Sequence, residues 1–204
     1  MHITQGDLPH WHQEGKIFFV TFRLADSMPP TAVSEFKNAV NKWLASHDSI
    51  IIKQVAEDFE KYKANLENSL YDRCLGQCIL VQYEVRKIVI DSLHHFDHSH
   101  YHIHDYVIMP NHVHLLIEPL NDWQIQDIMA SIKSYTAHEI NKVCSMQGSI
   151  WQHESFDRII RNDSHYYKVV NYIARNPRHC REGEYALYLT DGRPHFKVIP
   201  NNAL

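Results

Sequence analysis

Two histidines, His112 and His114, lie two residues apart at the start of an apolar segment that runs to Ile117. In a β-strand, alternate side chains point to opposite faces, so the two imidazoles would share one face while Val113 and Leu115 point to the other. Paired imidazoles on a rigid strand provide half of a site for a divalent metal ion. We expect the rest of that site on the helix that follows in the sequence.

Residues 123–146 form the clearest helix that the sequence predicts, because their apolar members recur at helical spacing. Tyr135 and Glu139 are four residues apart on one flank of the apolar stripe, so their functional groups point to one spot. If this helix packs on the sheet beside the histidines, His112, His114 and Glu139 form a set of two nitrogens and one oxygen. Such a set suits Mg²⁺ or Mn²⁺, although zinc also accepts it.

A tyrosine beside a metal ion is suited to attack on a phosphodiester. The ion polarises the phosphate and neutralises the charge that develops on it. A phenol oxygen that is aimed at the phosphorus and relieved of its proton is then a nucleophile. The product is a covalent phosphotyrosine, which stores the bond energy for rejoining. The chemistry predicted for Tyr135 is therefore the cleavage and rejoining of a nucleic-acid strand.

The elements that must position these residues follow from the periodicity of the chain. Strands are predicted over 15–24, 101–109 and 112–117, and helices over 31–45, 83–96, 123–146 and 164–175. Pro110-Asn111 joins the last two strands into a hairpin. Residues 50–70 fit a second helix or an exposed excursion, and 151–161 are expected to be a connecting segment. This order predicts an α+β fold, an antiparallel sheet with helices packed on one face.

Length, charge and cysteine content indicate an ordinary globular protein. The 204 residues are enough for one domain, and no apolar run is long enough to span a membrane. Four irregularly spaced cysteines and an N-terminus without a signal pattern favour a cytoplasmic protein. The net charge is −4, but residues 128–178 hold seven basic and four acidic residues, a local charge of +3. Nucleic-acid binding is therefore compatible with the charge without being required by it.

Several motifs, taken in their order along the chain, resemble one known family. Residues 109–114, followed by 133–136 (Lys-Ser-Tyr-Thr) and 140–141, look like the HUH single-tyrosine transposases. The segments 8–11, 19–26, 151–158, 160–161 and 172–177 are similar to the REP-associated tyrosine transposase branch of that family. Residues 45–100 contribute little. Each segment alone is a weak signal, and their common order makes the resemblance specific.

The resemblance implies a ferredoxin-like α+β core of the HUH nuclease type and a role in DNA transposition. It implies metal-dependent cleavage and transfer of single-stranded DNA beside a folded, REP-like hairpin, through a 5′-phosphotyrosine intermediate. It assigns metal binding to His112 and His114 and nucleophilic attack to Tyr135. The third ligand in such proteins is a polar residue one turn after the tyrosine. Here that residue is Glu139, where related enzymes more often have an amide.

The resemblance also implies a single transposase-like domain over 1–204 with a core over about 15–180. Residues 45–100 would form a variable helical excursion and 181–204 a C-terminal tail. The expected partner is single-stranded DNA with hairpins, bound by a monomer or a homodimer that is associated with the nucleoid. The residues expected to bind this DNA are Arg23, Lys133, Lys142, Arg158, Arg161 and Arg175. A solvated helix face explains the last three arginines almost as well.

Two other functions are open at this point. The first is a relative of such transposases that binds hairpin DNA or RNA without cutting it. The second is a metallohydrolase that uses His112, His114 and Glu139 with water as the nucleophile, in which Tyr135→Phe would leave most turnover intact. The histidine-rich stretch before the hairpin could also bind zinc or nickel incidentally. We expect ordinary surface positions for its members, with a place beside the metal as the less favoured alternative for the last two: His94, His95, His98, His100, His102 and His104.

Overall fold

The computed structural model describes residues 2–5, 9–12, 16–46, 58–59, 62–63, 66, 69–70 and 73–190. The chain forms two compact units, residues 1–25 with 79–204 and residues 26–78. Within the described ranges, no helix combines the length and the apolar character that crossing a membrane requires. The expectation of one transposase-like domain over 1–204 stays a prediction.

The larger unit is built on a five-stranded antiparallel sheet with the histidine-bearing strand at its centre. Two short strands, β1 (His2–Gln5) and β2 (Pro9–His12), pair with each other outside this sheet. The sheet contains β3 (Phe18–Arg23), β4 (Tyr101–Ile108), β5 (His112–Pro119), β6 (Phe156–Ile159) and β7 (Ala186–Leu189), in the order β6-β3-β5-β4-β7. The helices are α1 (Pro30–Ser46) in the smaller unit and α2 (Tyr83–His95), α3 (Ile125–Cys144) and α4 (Asp163–Arg175) in the larger one.

The hairpin predicted around Pro110-Asn111 is present, because β4 and β5 pair antiparallel on either side of it. β3 pairs with the other edge of β5. This register places Arg23 opposite His112 and Thr21 opposite His114. The sheet therefore fixes which side chains of β3 stand next to the two imidazoles.

The central strand β5 is buried on both of its faces. Every residue of 112–117 is at most 2% exposed. Val113 packs in an apolar cluster with residues of α2 and α3, whereas Leu116 packs in a second cluster with Val170 and Ile173 of α4. Since neighbouring residues of a strand point to opposite faces, the two clusters lie on opposite sides of the sheet.

The predicted α+β class and the antiparallel sheet are confirmed, and one detail differs. The sequence predicts helices on one face, but α4 covers the face opposite to α2 and α3. The physical reason is that β5 has side chains to bury on both faces, so each face needs a covering layer. The bounds of all four helices agree with their predictions to within two residues.

Two edge strands lie where the sequence predicts no strand. β6 falls in the predicted connecting segment 151–161, and β7 falls in the predicted tail 181–204. Each is only four residues long, which is too short for an alternating pattern to stand out. The tail therefore contributes a strand to the sheet, while 191–204 lie outside the described residues.

The smaller unit contains α1, whose predicted bounds are confirmed to within one residue. Trp43 on this helix packs against the rings of Phe59 and Tyr62, with centroids 5.0 Å and 5.8 Å away. The prediction of a second helix or an exposed excursion over 50–70 falls mostly outside the described residues. The few residues of that range that the structure describes are helical.

Candidate active site

The two imidazoles of β5 meet inside the protein, on the sheet face that α4 covers. Their Nε2 atoms are 3.1 Å apart, and His112 and His114 are 1% and 2% exposed. Two ring nitrogens at this distance share a proton or a cation, because two facing lone pairs repel each other. The predicted placement of both imidazoles on one face of the strand is found.

Each imidazole is oriented by a hydrogen bond at its other nitrogen. Nδ1 of His112 lies 2.7 Å from Oδ1 of Asn111, and it donates, because an amide oxygen can only accept. Nδ1 of His114 lies 2.8 Å from Oγ1 of Thr21 on β3. Metal-binding histidines are held in this way, since a partner at one nitrogen fixes the ring and directs the lone pair of the other nitrogen to the ion.

Burial keeps both imidazoles uncharged at neutral pH. It lowers the pKa of His112 to about 3, together with the positive charge of Arg23, while an interaction with the Asn176 side chain acts in the opposite direction. Burial also lowers the pKa of His114 well below its ordinary value, followed in importance by the charges of His112 and Arg23. Only a neutral imidazole binds a metal ion, so these shifts keep both nitrogens available for one.

Helix α4 brings a tyrosine and an asparagine to the imidazoles. The hydroxyl oxygen of Tyr172 lies 3.2 Å from Nε2 of His114. Asn176 follows four residues later, and its side chain interacts with His112. Its Oδ1 is buried and has no hydrogen-bond partner among the described residues. The four-residue spacing places both groups on one side of the helix end.

The local sequence explains why Asn176 is available at this point. Pro177 follows it and lacks a backbone N–H, so α4 ends and passes into a 3₁₀ turn over Asn176–His179. The last turns of α4 are fixed to the sheet by Val170 and Ile173, which are both fully buried. The helix end is thereby held over the imidazoles with its polar groups directed to them.

This set of donors fits a divalent cation. Two neutral imidazole nitrogens and an amide oxygen without another partner are brought together at one end of α4. The 3.1 Å between the two nitrogens is close to the roughly 3.0 Å between neighbouring ligands of an octahedral ion with bonds of about 2.1 Å. Imidazole and carbonyl-type oxygen are both ligands that Mn²⁺ accepts, and Mg²⁺ accepts the oxygen readily.

The structure does not bring Tyr135 and Glu139 to the imidazoles. Their helix, α3, packs on the opposite face of the sheet, in the cluster that contains Val113. Tyr135 is 56% exposed. The carboxylate of Glu139 lies 3.8 Å from the exposed ring of His138.

The prediction that side chains of α3 lie at the two imidazoles is therefore corrected: the side chains at the imidazoles come from α4. The tyrosine beside the imidazoles is Tyr172, and the polar side chain four residues after it is the amide of Asn176, whereas Glu139 lies on the other face of the sheet. The physical reason is the alternation of β5: the side chains that α3 covers and the two imidazoles belong to opposite faces. No rotation of α3 in place moves Tyr135 through the sheet.

Among the residues predicted to bind DNA, Arg23 lies beside the imidazoles. It is opposite His112 in the pairing of β3 with β5, and its charge lowers the pKa of both histidines. Lys133 lies on the α3 face instead, where it donates to the backbone carbonyl of His153 at 2.7 Å and burial lowers its pKa. The remaining four are exposed: Lys142, Arg158, Arg161 and Arg175.

Four residues of this site were not predicted from the sequence: Thr21, Asn111, Tyr172 and Asn176. One signal for the last two was present, because 172–177 is among the motifs that carry the family resemblance. Asn111 also stands next to the histidine pair in such a motif. Thr21 carries no signal of its own, since its role depends on the register between β3 and β5.

One known family matches the segment of the chain that carries this site. Residues 79–176 match the family described as IS200-like transposases. The matched segment includes α2, the hairpin, α3 and α4, and it ends at Asn176, so it contains both imidazoles and Tyr172. For this segment, the match confirms the resemblance to transposases that the sequence shows.

Two solved structures are similar to this chain. One is a REP-associated tyrosine transposase bound to a REP hairpin, with 17% identity, a TM-score of 0.43, and coverage of 86% of this chain and 75% of that chain. The other is a proposed transposase from Deinococcus radiodurans R1, with 9% identity, a TM-score of 0.33, and coverage of 85% of this chain and 97% of that chain. No curated protein matches the chain.

Proposed function

We propose that the protein is a metal-dependent enzyme that nicks single-stranded DNA and rejoins strands through a covalent tyrosine intermediate. In this proposal Tyr172 is the nucleophile, and His112, His114 and Asn176 hold the metal ion. The family match over 79–176 supports a transposase-type function. The geometry of the four side chains supports the finer assignment.

The observation that carries the proposal is the hydroxyl oxygen of Tyr172, 3.2 Å from Nε2 of His114. A phenol in this position would be available to a phosphate at an ion that the imidazoles would hold. The ring of Tyr172 packs edge-on against Phe19 of β3 and against the His114 ring, with centroids 5.9 Å and 5.0 Å away. A side chain held on two sides has less freedom to lose when its oxygen is brought into line with phosphorus.

The proposed reaction exchanges one phosphate ester for another. The oxygen of Tyr172 forms a bond to phosphorus, and the phenolic proton leaves to solvent. The bond from phosphorus to the 3′ oxygen of the upstream nucleotide breaks, and that oxygen takes up a proton and leaves as a 3′-hydroxyl. The 5′-phosphotyrosine conserves the ester bond, so a second 3′-hydroxyl can attack it and reseal a strand.

The residues around Tyr172 have separate tasks in this proposal. His112, His114 and Asn176 hold the ion, and the hydrogen bonds at the Nδ1 atoms keep the imidazoles directed to it. When bound, a Mg²⁺ or Mn²⁺ ion supplies polarisation of the phosphate and neutralises its developing charge. Arg23 adds a positive charge beside the imidazoles, which favours the approach of a phosphate.

The proposed substrate is single-stranded DNA next to a REP-like hairpin, and the proposed process is DNA transposition. This part of the proposal rests on the motifs that resemble the REP-associated branch, which include 19–26 and 172–177. Arg23 lies within the first of these motifs and Tyr172 within the second. The protein would act as a monomer or a homodimer.

Formation of a covalent protein–DNA adduct tests the proposal. The protein is mixed with a 3′-labelled single strand that contains a hairpin, in the presence of Mn²⁺, and adducts are separated under denaturing conditions. We expect an adduct with the wild-type chain and none with Tyr172→Phe, and mass spectrometry should find the nucleotide on Tyr172. The matched control is Tyr167→Phe, because Tyr167 lies on the same helix and is 50% exposed. This variant should form the adduct at the wild-type rate.

Two results would contradict the proposal, and each favours a different function. A folded wild-type protein that binds hairpin strands without forming any adduct would be a binding protein. Metal-dependent cleavage that persists in Tyr172→Phe would indicate a hydrolase with water as the nucleophile.

A further inference from the structure

A second group of potential metal ligands lies at the turn between α2 and β4. Asp97, His98 and His102 each offer one ligand atom, and these atoms all lie within 4.8 Å of one another. We infer that these three residues form a separate Zn²⁺ site. This inference goes beyond the proposed function, because the site shares no residue with the imidazole pair of β5.

The carboxylate of Asp97 is fixed in place by the backbone around it. Its Oδ1 accepts hydrogen bonds from the backbone N–H of His98 at 3.0 Å and of Ile103 at 2.9 Å. The side chain is only 9% exposed. Its Oδ2 faces imidazole nitrogens of His98 at 3.6 Å and His94 at 3.7 Å. The turn therefore presents a held, mostly buried negative charge to surrounding imidazoles.

His102 supplies the observation that points to a ligand. Its Nδ1 is buried and makes no hydrogen bond with any described residue. The nearest carboxylate oxygen, Oδ1 of Asp97, is 3.6 Å away, which is beyond hydrogen-bond distance. A buried nitrogen without a partner costs free energy, and a bound cation would remove that cost.

Simple ion pairs between Asp97 and charged histidines explain these distances less well. Each of the three nitrogen–oxygen separations is 3.6 or 3.7 Å, so none of them is a hydrogen bond. Ligands of a tetrahedral ion with bonds of about 2.1 Å are roughly 3.4 Å apart. The two separations within the proposed site, from His98 Nε2 to Oδ2 and from His102 Nδ1 to Oδ1 of Asp97, are 3.6 Å each and close to that value.

The chemistry of the three ligands favours zinc over magnesium. Two imidazole nitrogens and one carboxylate oxygen, with water in the fourth position, are a ligand set that Zn²⁺ commonly takes. Mg²⁺ prefers oxygen ligands throughout and keeps much of its water. The site would connect the end of α2 to the start of β4, so a bound zinc ion would stabilise that turn.

Counting bound zinc ions tests the inference. The full chain is dialysed against Zn²⁺ alone, and the bound metal is measured per chain. We expect two ions in the wild-type protein, of which one is lost in the variant His98→Ala/His102→Ala. The control His95→Ala removes an exposed neighbouring histidine outside the group and should still bind two ions.

A conservative variant separates metal binding from the structure of the turn. Asp97→Asn keeps an oxygen acceptor for the two backbone N–H groups but removes the charge, so we expect zinc affinity at this site to fall by about tenfold or more. In the wild-type protein, zinc should slow hydrogen exchange at the N–H groups of His98 and Ile103. It should not do so in His98→Ala/His102→Ala.

Two outcomes would overturn the inference. Equal zinc content in the wild-type protein and in His98→Ala/His102→Ala would exclude the site. An equal loss in His95→Ala would mean that the histidine-rich stretch binds zinc without a defined geometry. The DNA adduct assay is independent of both results, because His98→Ala/His102→Ala should retain wild-type adduct formation.

Discussion

Helices α3 and α4 carry the same arrangement of a tyrosine and, four residues later, a polar side chain, yet only α4 brings it to the imidazoles. On α3, Tyr135 is 56% exposed and Glu139 is directed away from the histidine pair. On α4, Tyr172 lies 3.2 Å from Nε2 of His114 and Asn176 interacts with His112. The same four-residue spacing of a tyrosine and a polar side chain thus forms part of the candidate site on α4 and an exposed surface on α3.

The difference is decided by the strand between the two helices. Along β5, His112 and His114 point to the face under α4, and Val113 and Leu115 point to the face under α3. Helical spacing determines which side chains of a helix converge. It does not determine which face of a sheet the helix covers, and here that choice separates a surface tyrosine from a candidate nucleophile.

The largest expected difference is between tyrosine variants of the two helices, in the rate at which the protein–DNA adduct forms. Tyr172→Phe should lower adduct formation below detection, a loss of about a thousandfold or more, because the attacking oxygen is removed. Tyr135→Phe should leave the rate within about twofold of wild type, as expected for an exposed side chain without a role in the reaction. Rates are measured by quenching the reaction under denaturing conditions. A large loss of the adduct-formation rate in a folded Tyr135→Phe variant would show that Tyr135 on α3, and not only Tyr172 on α4, takes part in the reaction.

The next largest difference is expected in metal affinity. Asn176→Ala removes the amide oxygen beside the imidazoles, so Mn²⁺ binding should weaken by about 10- to 100-fold. Glu139→Ala should bind Mn²⁺ like the wild-type chain, because its carboxylate is on the other side of the sheet. Titration calorimetry of both variants measures this difference. Equal affinities in the two variants would remove Asn176 from the proposed ligand set.

The buried imidazoles should make the metal-free protein less stable in acid. The pKa of His112 is about 3 in the folded protein, below the ordinary value of about 6.5 in an unfolded chain. The unfolded state therefore binds more protons between these values, and the free energy of unfolding falls as the pH falls. From about pH 6 to about pH 5 the loss from His112 should be about 1 kcal/mol.

Urea unfolding in the presence of a chelator measures this pH dependence. The variant His112→Gln should show a smaller slope of stability against pH, since one shifted group is removed. His138→Ala, at a side chain that is 78% exposed on α3, should keep the wild-type slope. An unchanged slope in His112→Gln would show that the imidazole pair does not cause the acid sensitivity.

The smallest expected difference compares one buried threonine on each side of the sheet. Thr21 hydrogen-bonds to Nδ1 of His114 at 2.8 Å, and Thr136 accepts a hydrogen bond from Nε1 of Trp151 at 2.9 Å. Thr21→Val and Thr136→Val should each lower the free energy of unfolding by about 1 kcal/mol. Only Thr21→Val should also weaken Mn²⁺ binding, by about tenfold, because it releases the His114 ring. A similar weakening in Thr136→Val would mean that stability, not orientation, controls the affinity.

The parts of this fold that periodicity specifies could be predicted from the sequence. The helices over 83–96 and 123–146 and the hairpin at Pro110-Asn111 are long or strongly patterned, and they are found at the expected places. The edge strands β6 and β7 were missed, since four residues show too little alternation. Pairing with a neighbouring strand, which is a long-range contact, makes these segments strands.

The site was predictable only in its strand half. His112 and His114 are two apart in an apolar segment, and period-two geometry is enough to place them together. To predict the positions of Tyr172 and Asn176, one has to know which helix packs on the imidazole face of the sheet after the chain has formed β6. That is a property of the topology, and it is absent from the local pattern of either helix.

The central position of β5 has a consequence for how the site can move. A strand with partners on both edges loses its hydrogen bonds only when the whole unit opens, so the separation of the two ring nitrogens is as durable as the fold. Tyr172 and Asn176 stand instead where a helix changes into a 3₁₀ turn, and helix ends are the places where backbone hydrogen bonds open first. Small movements at that helix end would shift the amide of Asn176 without altering the nitrogen pair. Any adjustment of the candidate site is therefore expected at the end of α4, beyond Ile173, and not in the imidazole pair.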